Sequence, residues 1–504
     1  MPRNPLAPAW LEEPEDPNAL APGVWSQNAI RAADGVIEIA GVRVTELAET
    51  YGTPLYVVDE ADVRGRAAGV KAAFDAAMGR IGASAKVYYA GKAFLSTEIV
   101  RWIDAAGLGI DVASEGELAV ALAGGIDPAR IGVHGNNKSE RQIARAVEAG
   151  VGAIVIDSAI EVERVAAAAA RAGRVQRVRL RINAGVHAST HEYLATAHED
   201  QKFGLSLATG AAAEAVDRIL ATPQLRLLGL HSHIGSQIFD SGGFAEAARR
   251  LLALHAFLLE GGPVAELNLG GGFGIAYTSA DDPKPIAEIA DGMAAALAAA
   301  AADLGIGVPV IAVEPGRSIV GPGGTTLYRV GTVKPVSVSL PEPADAAPRA
   351  PERAQRVEGP ADAAPRVPER AQRVEGPTTA IRKYVSVDGG MSDNVRTALY
   401  RADYSARIAS RSSGDHPALA RVAGMHCESG DIVVRDEYLP MDVGPGDLLA
   451  VPATGAYGWA MASNYNWVPR PPVVAVRDGQ ARLIVRGETI DDLLARDVRH
   501  RGDT

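Results

Sequence analysis

Lys92 stands in Tyr89-Ala90-Gly91-Lys92-Ala93, directly after an apolar run. A lysine amine taken out of water gives up its proton more easily and becomes a nucleophile toward aldehydes. The plainer alternative is a solvated lysine at a helix start. Glu314 opens Glu314-Pro315-Gly316-Arg317 after another apolar run. A carboxylate there can pair with a protonated pyridine nitrogen and keep the ring an electron sink. Its plainer alternative is an ion pair with Arg317. Gly270-Gly271-Gly272-Phe273-Gly274 lets backbone N–H groups approach a phosphate closely. Arg317 can assist as a charged donor, although a glycine cluster alone is often only a tight turn. In His231-Ser232-His233-Ile234-Gly235-Ser236, His233 can stack on a flat ring and Ser236 can donate to its phosphate. A lone histidine is more often a satisfied structural residue.

An imine-forming lysine, a pyridinium partner, a ring stacker and a phosphate cup are together what pyridoxal 5′-phosphate (PLP) requires. No Walker loop is present, and His and Cys spacings give no convincing metal site. The elements that must position these residues are eight short apolar runs. They are Lys86–Ala90, Leu108–Val112, Ile131–Val133, Ala153–Ile156, Val178–Ile182, Leu227–Leu230, Ala265–Leu269 and Val308–Val313. Mostly helix-patterned, Ala-rich stretches separate them, which is the arithmetic of a (β/α)8 TIM-type barrel. In such barrels the active site lies where strands end. Here those ends deliver Lys92, Asp111, His134, Asp157, Asn183, His233, Gly270–Gly272 and Glu314.

The 504 residues are 47% hydrophobic and can bury a large core across more than one domain. The net charge of −11 without a strong basic run argues against a nucleic-acid partner. The single cysteine, Cys427, excludes an intrachain disulfide and suits a reducing compartment. No signal peptide and no bilayer-long apolar stretch is evident, so a cytoplasmic soluble protein is expected. Residues 1–23 are rich in proline and acid and read as a flexible tail. Residues 24–59 hold short β pieces, and 60–320 carry the barrel. Residues 321–504 read as an all-β C-terminal domain that the N-terminal strands join. Within it, Ala344–Pro360 and Ala361–Pro377 are a tandem duplication of seventeen residues that differs only at Ala350 and Val367. Charged and proline-rich, residues 341–379 read as a disordered insert, with a partner-binding arm as the alternative.

The β domain adds Met425-His426-Cys427-Glu428-Ser429-Gly430-Asp431 and Gly455-Ala456-Tyr457-Gly458. Asp388-Gly389-Gly390-Met391-Ser392-Asp393-Asn394 leads into Arg396 and Tyr400, which share a face if that piece is helical. The plain reading of Cys427 is a buried small hydrophobe, and that of Asp388–Asn394 is a polar turn.

Taken as a set, these stretches resemble the diaminopimelate decarboxylases of the alanine-racemase-like PLP fold, the group that includes ornithine decarboxylase. The likeness rests on Tyr89–Ala93, Gly107–Leu118, His134–Ser139, Arg181–Gly204, Gly229–Gln237, Asn268–Gly274, Glu314–Arg317, Val387–Tyr400, Cys427–Gly430 and Thr454–Asn466. It implies a cofactor site of Lys92, Asp111, His233, Ser236, Gly270, Gly271, Gly272, Glu314, Pro315, Gly316, Arg317 and Tyr457. It implies that Arg317, Arg396 and Tyr400 grip the substrate's distal carboxylate, and Glu428 its distal ammonium. Tyr457 would contact cofactor and substrate, and Cys427 would protonate the product. The reaction implied is decarboxylation of meso-2,6-diaminopimelate to L-lysine, in a homodimer with shared sites. The alternatives are a related basic amino-acid or carboxylated polyamine decarboxylase, and a non-catalytic PLP-binding protein. The chain departs from the family pattern at Ala184, Ala197 and Thr397, which alters loop stiffness.

Overall fold

The computed structural model describes residues 4–185, 202–259, 264–340 and 379–498. The duplicated segment, the Thr196-Ala197 departure and the two chain ends lie outside these residues.

Eight strands form the barrel: Ala85–Ala90, Gly109–Val112, Ile131–Val133, Ala153–Ile156, Gln176–Asn183, Leu225–His231, Glu266–Asn268 and Val310–Val313. Each pairs in parallel with the next, and the ring closes where Val313 pairs with Val87. These strands read as near-continuous apolar runs because parallel strands are covered on both faces. Helices between them are punctuated by local chemistry. Ser96, Ser114 and Ser139 cap Thr97–Ala105, Glu115–Gly124 and Glu140–Ala149, each hydroxyl accepting from a first-turn N–H. Gly125 and Gly150 end two of them at φ 92° and 75°, where a side chain would be strained. Helices Glu115–Gly124 and Ala159–Arg171 start shortly beyond their strands, whereas a long segment separates Asn268 from the helix Ile286–Leu304. The parallel strands place their polar ends on one rim.

The long strand Gly324–Ser339 leaves the barrel and becomes the spine of the second sheet. It pairs antiparallel with Thr379–Val387, Leu448–Pro452 and the N-terminal strand Leu55–Asp59. Val473–Arg477 runs parallel on the far side of Leu55–Asp59. Of the N-terminal strands expected to join the β domain, only Leu55–Asp59 enters this sheet. Ala29–Arg31, Ile37–Ile39 and Val42–Arg43 form a separate three-stranded sheet. It packs Val24, Trp25 and Ile37 against Leu327, Leu448 and Val474. Nor are residues 4–23 a loose tail. Leu11 packs with Leu419 and Tyr438, the Asn4 amide donates to the Ile381 carbonyl at 3.0 Å, and Arg407 Nε donates to the Ala19 carbonyl at 2.8 Å. Composition missed this because a few apolar anchors and carbonyls are enough to bind an otherwise polar segment.

Candidate active site

The glycine loop after the seventh strand is fixed by backbone proximity. A Cβ on Gly271 would sit 2.1 Å from the Glu314 carbonyl oxygen, and one on Gly270 would sit 2.6 Å from that of Ser232. One on Gly272 would sit 2.4 Å from the Gly235 carbonyl oxygen. Only glycine permits this approach, and it draws the rims of strands six, seven and eight into one cradle. The Gly271 N–H donates to His233 Nδ1 at 3.2 Å. Asn268 holds the loop from below: its Oδ1 accepts from the Gly270 N–H at 2.8 Å, and its Nδ2 donates to Glu314 Oε1 at 2.8 Å. Arg317 donates to Ser236 Oγ at 2.9 Å and lies 4.7 Å from the Tyr457 ring centroid. Tyr457 is carried in from the β domain, its N–H donating to the Ala93 carbonyl at 2.8 Å. That bond seats the second domain on the turn of Lys92.

A buried charged cluster lies beneath. His231 Nε2 is 3.1 Å from Glu314 Oε1, and His134 Nε2 is 3.3 Å from Asp111 Oδ1 and 3.5 Å from Glu314 Oε1. Burial alone would push Glu314 up, but His231 and His134 beside it hold it well below the usual carboxylate range. Burial, with the nearby Glu314 charge, pushes Asp111 up. His231 is pushed down to about 4 by burial, so at neutral pH its ring is neutral and Glu314 is the charged member. Burial, then the Lys92 charge, drives His233 well below its usual value. Among the described residues, both Asp111 carboxylate oxygens and both His231 ring nitrogens are buried without an aligned hydrogen-bond partner. A buried carboxylate fixed by the Asn268 amide suits a cationic ring N–H, and the glycine cradle with Ser236 and Arg317 suits a phosphate. These residues fit PLP. His134, His231 and Glu314 also present three donor atoms within 4.8 Å of one another, but the carboxylate among them is the one a ring nitrogen needs.

Lys92, in the single turn Gly91–Ala93, is exposed, so its side chain is not held in the protein interior. Arg396 and Tyr400 do lie on the helix Arg396–Tyr400, yet the structure separates them. Arg396 is buried, while Tyr400 is 62% exposed. Cys427 is exposed, which overturns its reading as a buried small hydrophobe. Glu428 is exposed as well and accepts from the Tyr465 hydroxyl at 2.6 Å, within the β domain. Sequence reasoning passed over Tyr277 and Tyr404 and read Asn268 only as the first residue of the stretch Asn268–Gly274. Nothing in the spacing marks the two tyrosines.

The chain matches two families. Residues 65–321 match the pyridoxal binding domain of pyridoxal-dependent decarboxylases, and residues 363–455 match their C-terminal sheet domain. A diaminopimelate decarboxylase of Mycobacterium tuberculosis is 51% identical, covering 95% of this chain and 99% of its own. That of Bacillus subtilis is 42% identical over 92% and 95%. Among solved structures, the diaminopimelate decarboxylase of M. jannaschii in complex with L-lysine superposes with a TM-score of 0.79. It is 30% identical, covering 94% of this chain and 98% of its own. The chain belongs to the diaminopimelate decarboxylase family of PLP-dependent decarboxylases.

Proposed function

We propose that the protein decarboxylates meso-2,6-diaminopimelate to L-lysine and CO2, the last step of lysine biosynthesis, with PLP as cofactor. Lys92 would hold the cofactor's aldehyde carbon and Glu314, with Asp111 behind it, the ring nitrogen. His233 would cover one ring face. Ser236, the Gly270–Gly272 loop and the Pro315-Gly316 turn would hold the phosphate, with Tyr457 alongside. When bound, PLP takes up the electron pair left on the α-carbon as CO2 leaves.

The substrate reading rests on one observation: Arg317 from the barrel and Arg396 from the β domain meet on one aromatic side chain, Tyr277. Two guanidiniums from opposite walls suit a carboxylate at the far end of a substrate. Tyr400 would assist them. Glu428 would take the distal ammonium, and Cys427 would deliver a proton to the α-carbon. A basic amino acid with a single carboxylate leaves that pair of cations unmatched, which disfavours a lysine or ornithine decarboxylase. Because Cys427 and Glu428 face outward, we read the active unit as a homodimer in which they serve the partner's barrel. Among the described residues no helix is long and apolar enough to cross a membrane. With one exposed cysteine, the chain suits the reducing cytoplasm.

Incubation with meso-diaminopimelate, with and without added PLP, tests the reading. Stoichiometric L-lysine and CO2 that depend on PLP are expected. Turnover of ornithine or lysine in place of diaminopimelate would pass the chain to the related decarboxylases.

A further inference from the structure

Tyr277 lies beyond the seventh barrel strand yet packs in the core of the β domain with Tyr328 and Tyr404. Its backbone N–H is anchored by the Asp281 carboxylate at 2.9 Å. Its hydroxyl accepts from Arg317. Its ring lies under Arg396, with the guanidinium carbon 4.7 Å from the centroid. The edge of Tyr404 meets it with centroids 5.0 Å apart and planes at 77°. Arg396 donates to the Tyr404 hydroxyl at 2.6 Å. Among the described residues, the hydrogen-bond partners of both cations are therefore hydroxyls: Ser236 and Tyr277 for Arg317, and Tyr404 and Tyr277 for Arg396. A neutral hydroxyl fixes the direction of a guanidinium without cancelling its charge, and an aromatic face fixes its plane. Burial pushes Tyr404 up to about 12, so it stays neutral at physiological pH.

We propose that Tyr277 is a positioning residue for substrate selection, aligning Arg317 and Arg396 across the domain boundary into one receptor for the distal carboxylate. This rests on the decarboxylase reading above and adds to it the residue that sets specificity. The hydroxyl reaches both guanidiniums and the ring supports Arg396, so the two contributions are read by removing them in turn. Tyr277→Phe keeps the ring and loses the hydroxyl; Tyr277→Leu loses both.

The test uses PLP-loaded enzyme and two competitive probes. L-Lysine carries the distal carboxylate, whereas cadaverine has the same amine spacing without it. For Tyr277→Phe, KM for meso-diaminopimelate and Ki for L-lysine should each rise about tenfold, the scale of one hydrogen bond to a charged group. The kcat should stay within about twofold, with cadaverine inhibition and PLP absorbance unchanged. Tyr277→Leu should widen the gap between the probes further, and Tyr404→Phe should reproduce part of it through Arg396. Equal weakening of L-lysine and cadaverine in Tyr277→Phe would mean a general packing role and would overturn the proposal. So would unchanged L-lysine inhibition in both Tyr277 variants. If wild-type enzyme itself fails to convert meso-diaminopimelate, the decarboxylase reading fails instead, and the two failures are told apart by that control.

Discussion

The two walls of the cleft are built on opposite rules. On the barrel wall, Asp111, His231 and Glu314 arrive from three strands, are buried, and crowd within hydrogen-bond range of His134 or one another. Glycine contacts too tight for any Cβ hold their loops in register. On the β-domain wall, Cys427, Glu428 and Tyr400 face outward, and Glu428 is held by Tyr465 from its own domain. The barrel wall is thus organised within one chain. The β-domain wall presents these side chains away from that chain's interior. Burial serves where a charge must be fixed against a cofactor; exposure serves where a group must meet something brought from outside.

The contrast breaks most severely at Lys92. Lys92→Ala should lower kcat by at least ~10⁴-fold, the scale of losing a covalent anchor together with its proton-transfer group. It should also abolish the absorbance of lysine-bound PLP. An unchanged spectrum would take Lys92 out of the site and leave the barrel wall without its nucleophile.

Next in size is a pH effect that sets the walls against each other. Asp393 lies buried under the β-domain wall, where Oδ1 accepts from the Gly390 N–H at 2.7 Å and Oδ2 from the Tyr328 hydroxyl. Burial, with Asp431 and Asp388 nearby, pushes it from 3.8 up to about 7. Between those values the folded chain holds a proton that the unfolded chain lacks, so stability falls as pH rises, then levels off. The full span is on the order of 4 kcal/mol. His231 has the opposite sign. Burial moves it from 6.5 down to about 4, so between those values only the unfolded chain is protonated and stability rises with pH. That span is about 3 kcal/mol. The two slopes offset one another in acid. Asp393→Asn removes one of them. Its thermal midpoint should therefore climb more steeply than wild type between about pH 4 and pH 6.5, the range the two shifted groups span. Parallel curves would mean that Asp393 does not titrate in that range.

The barrel was legible because its strands are covered on both faces and stand out as apolar runs, and because polar strand ends gather on one rim. Lys92, Glu314 and Gly270–Gly272 could be read from that rule. The helix Val44–Tyr51 and the strands Arg407–Ile408 and Pro417–Ala423 were not, since short or half-exposed elements carry weak periodicity. Tyr277 and Tyr404 were invisible for another reason. A tyrosine gains a role here by what the fold sets beside it, and Arg317 and Arg396 are far from each other in sequence. The exposure of Lys92 and Cys427 was equally unreadable, since it depends on how two domains meet.

The finest test concerns the outward face itself. Cys427→Ala removes only the group proposed to deliver the final proton, so kcat should fall about a hundredfold, within the range of lost acid catalysis. The barrel wall and the Tyr277 frame remain, so PLP absorbance and inhibition by L-lysine should hold. Full activity would exclude the thiol from the proton step. Mixing this variant with Lys92→Ala then asks which chain's thiol acts. If each thiol serves its own barrel, neither chain of a mixed dimer has both groups, and mixing restores nothing. If it serves the partner's barrel, one site of every mixed dimer is whole. Random exchange makes half of the dimers mixed, so about a quarter of wild-type activity should return, as twofold symmetry requires. Recovery on that scale would assign the exposed face of Cys427 to the neighbouring subunit. Its absence after verified exchange would return the thiol to its own cleft.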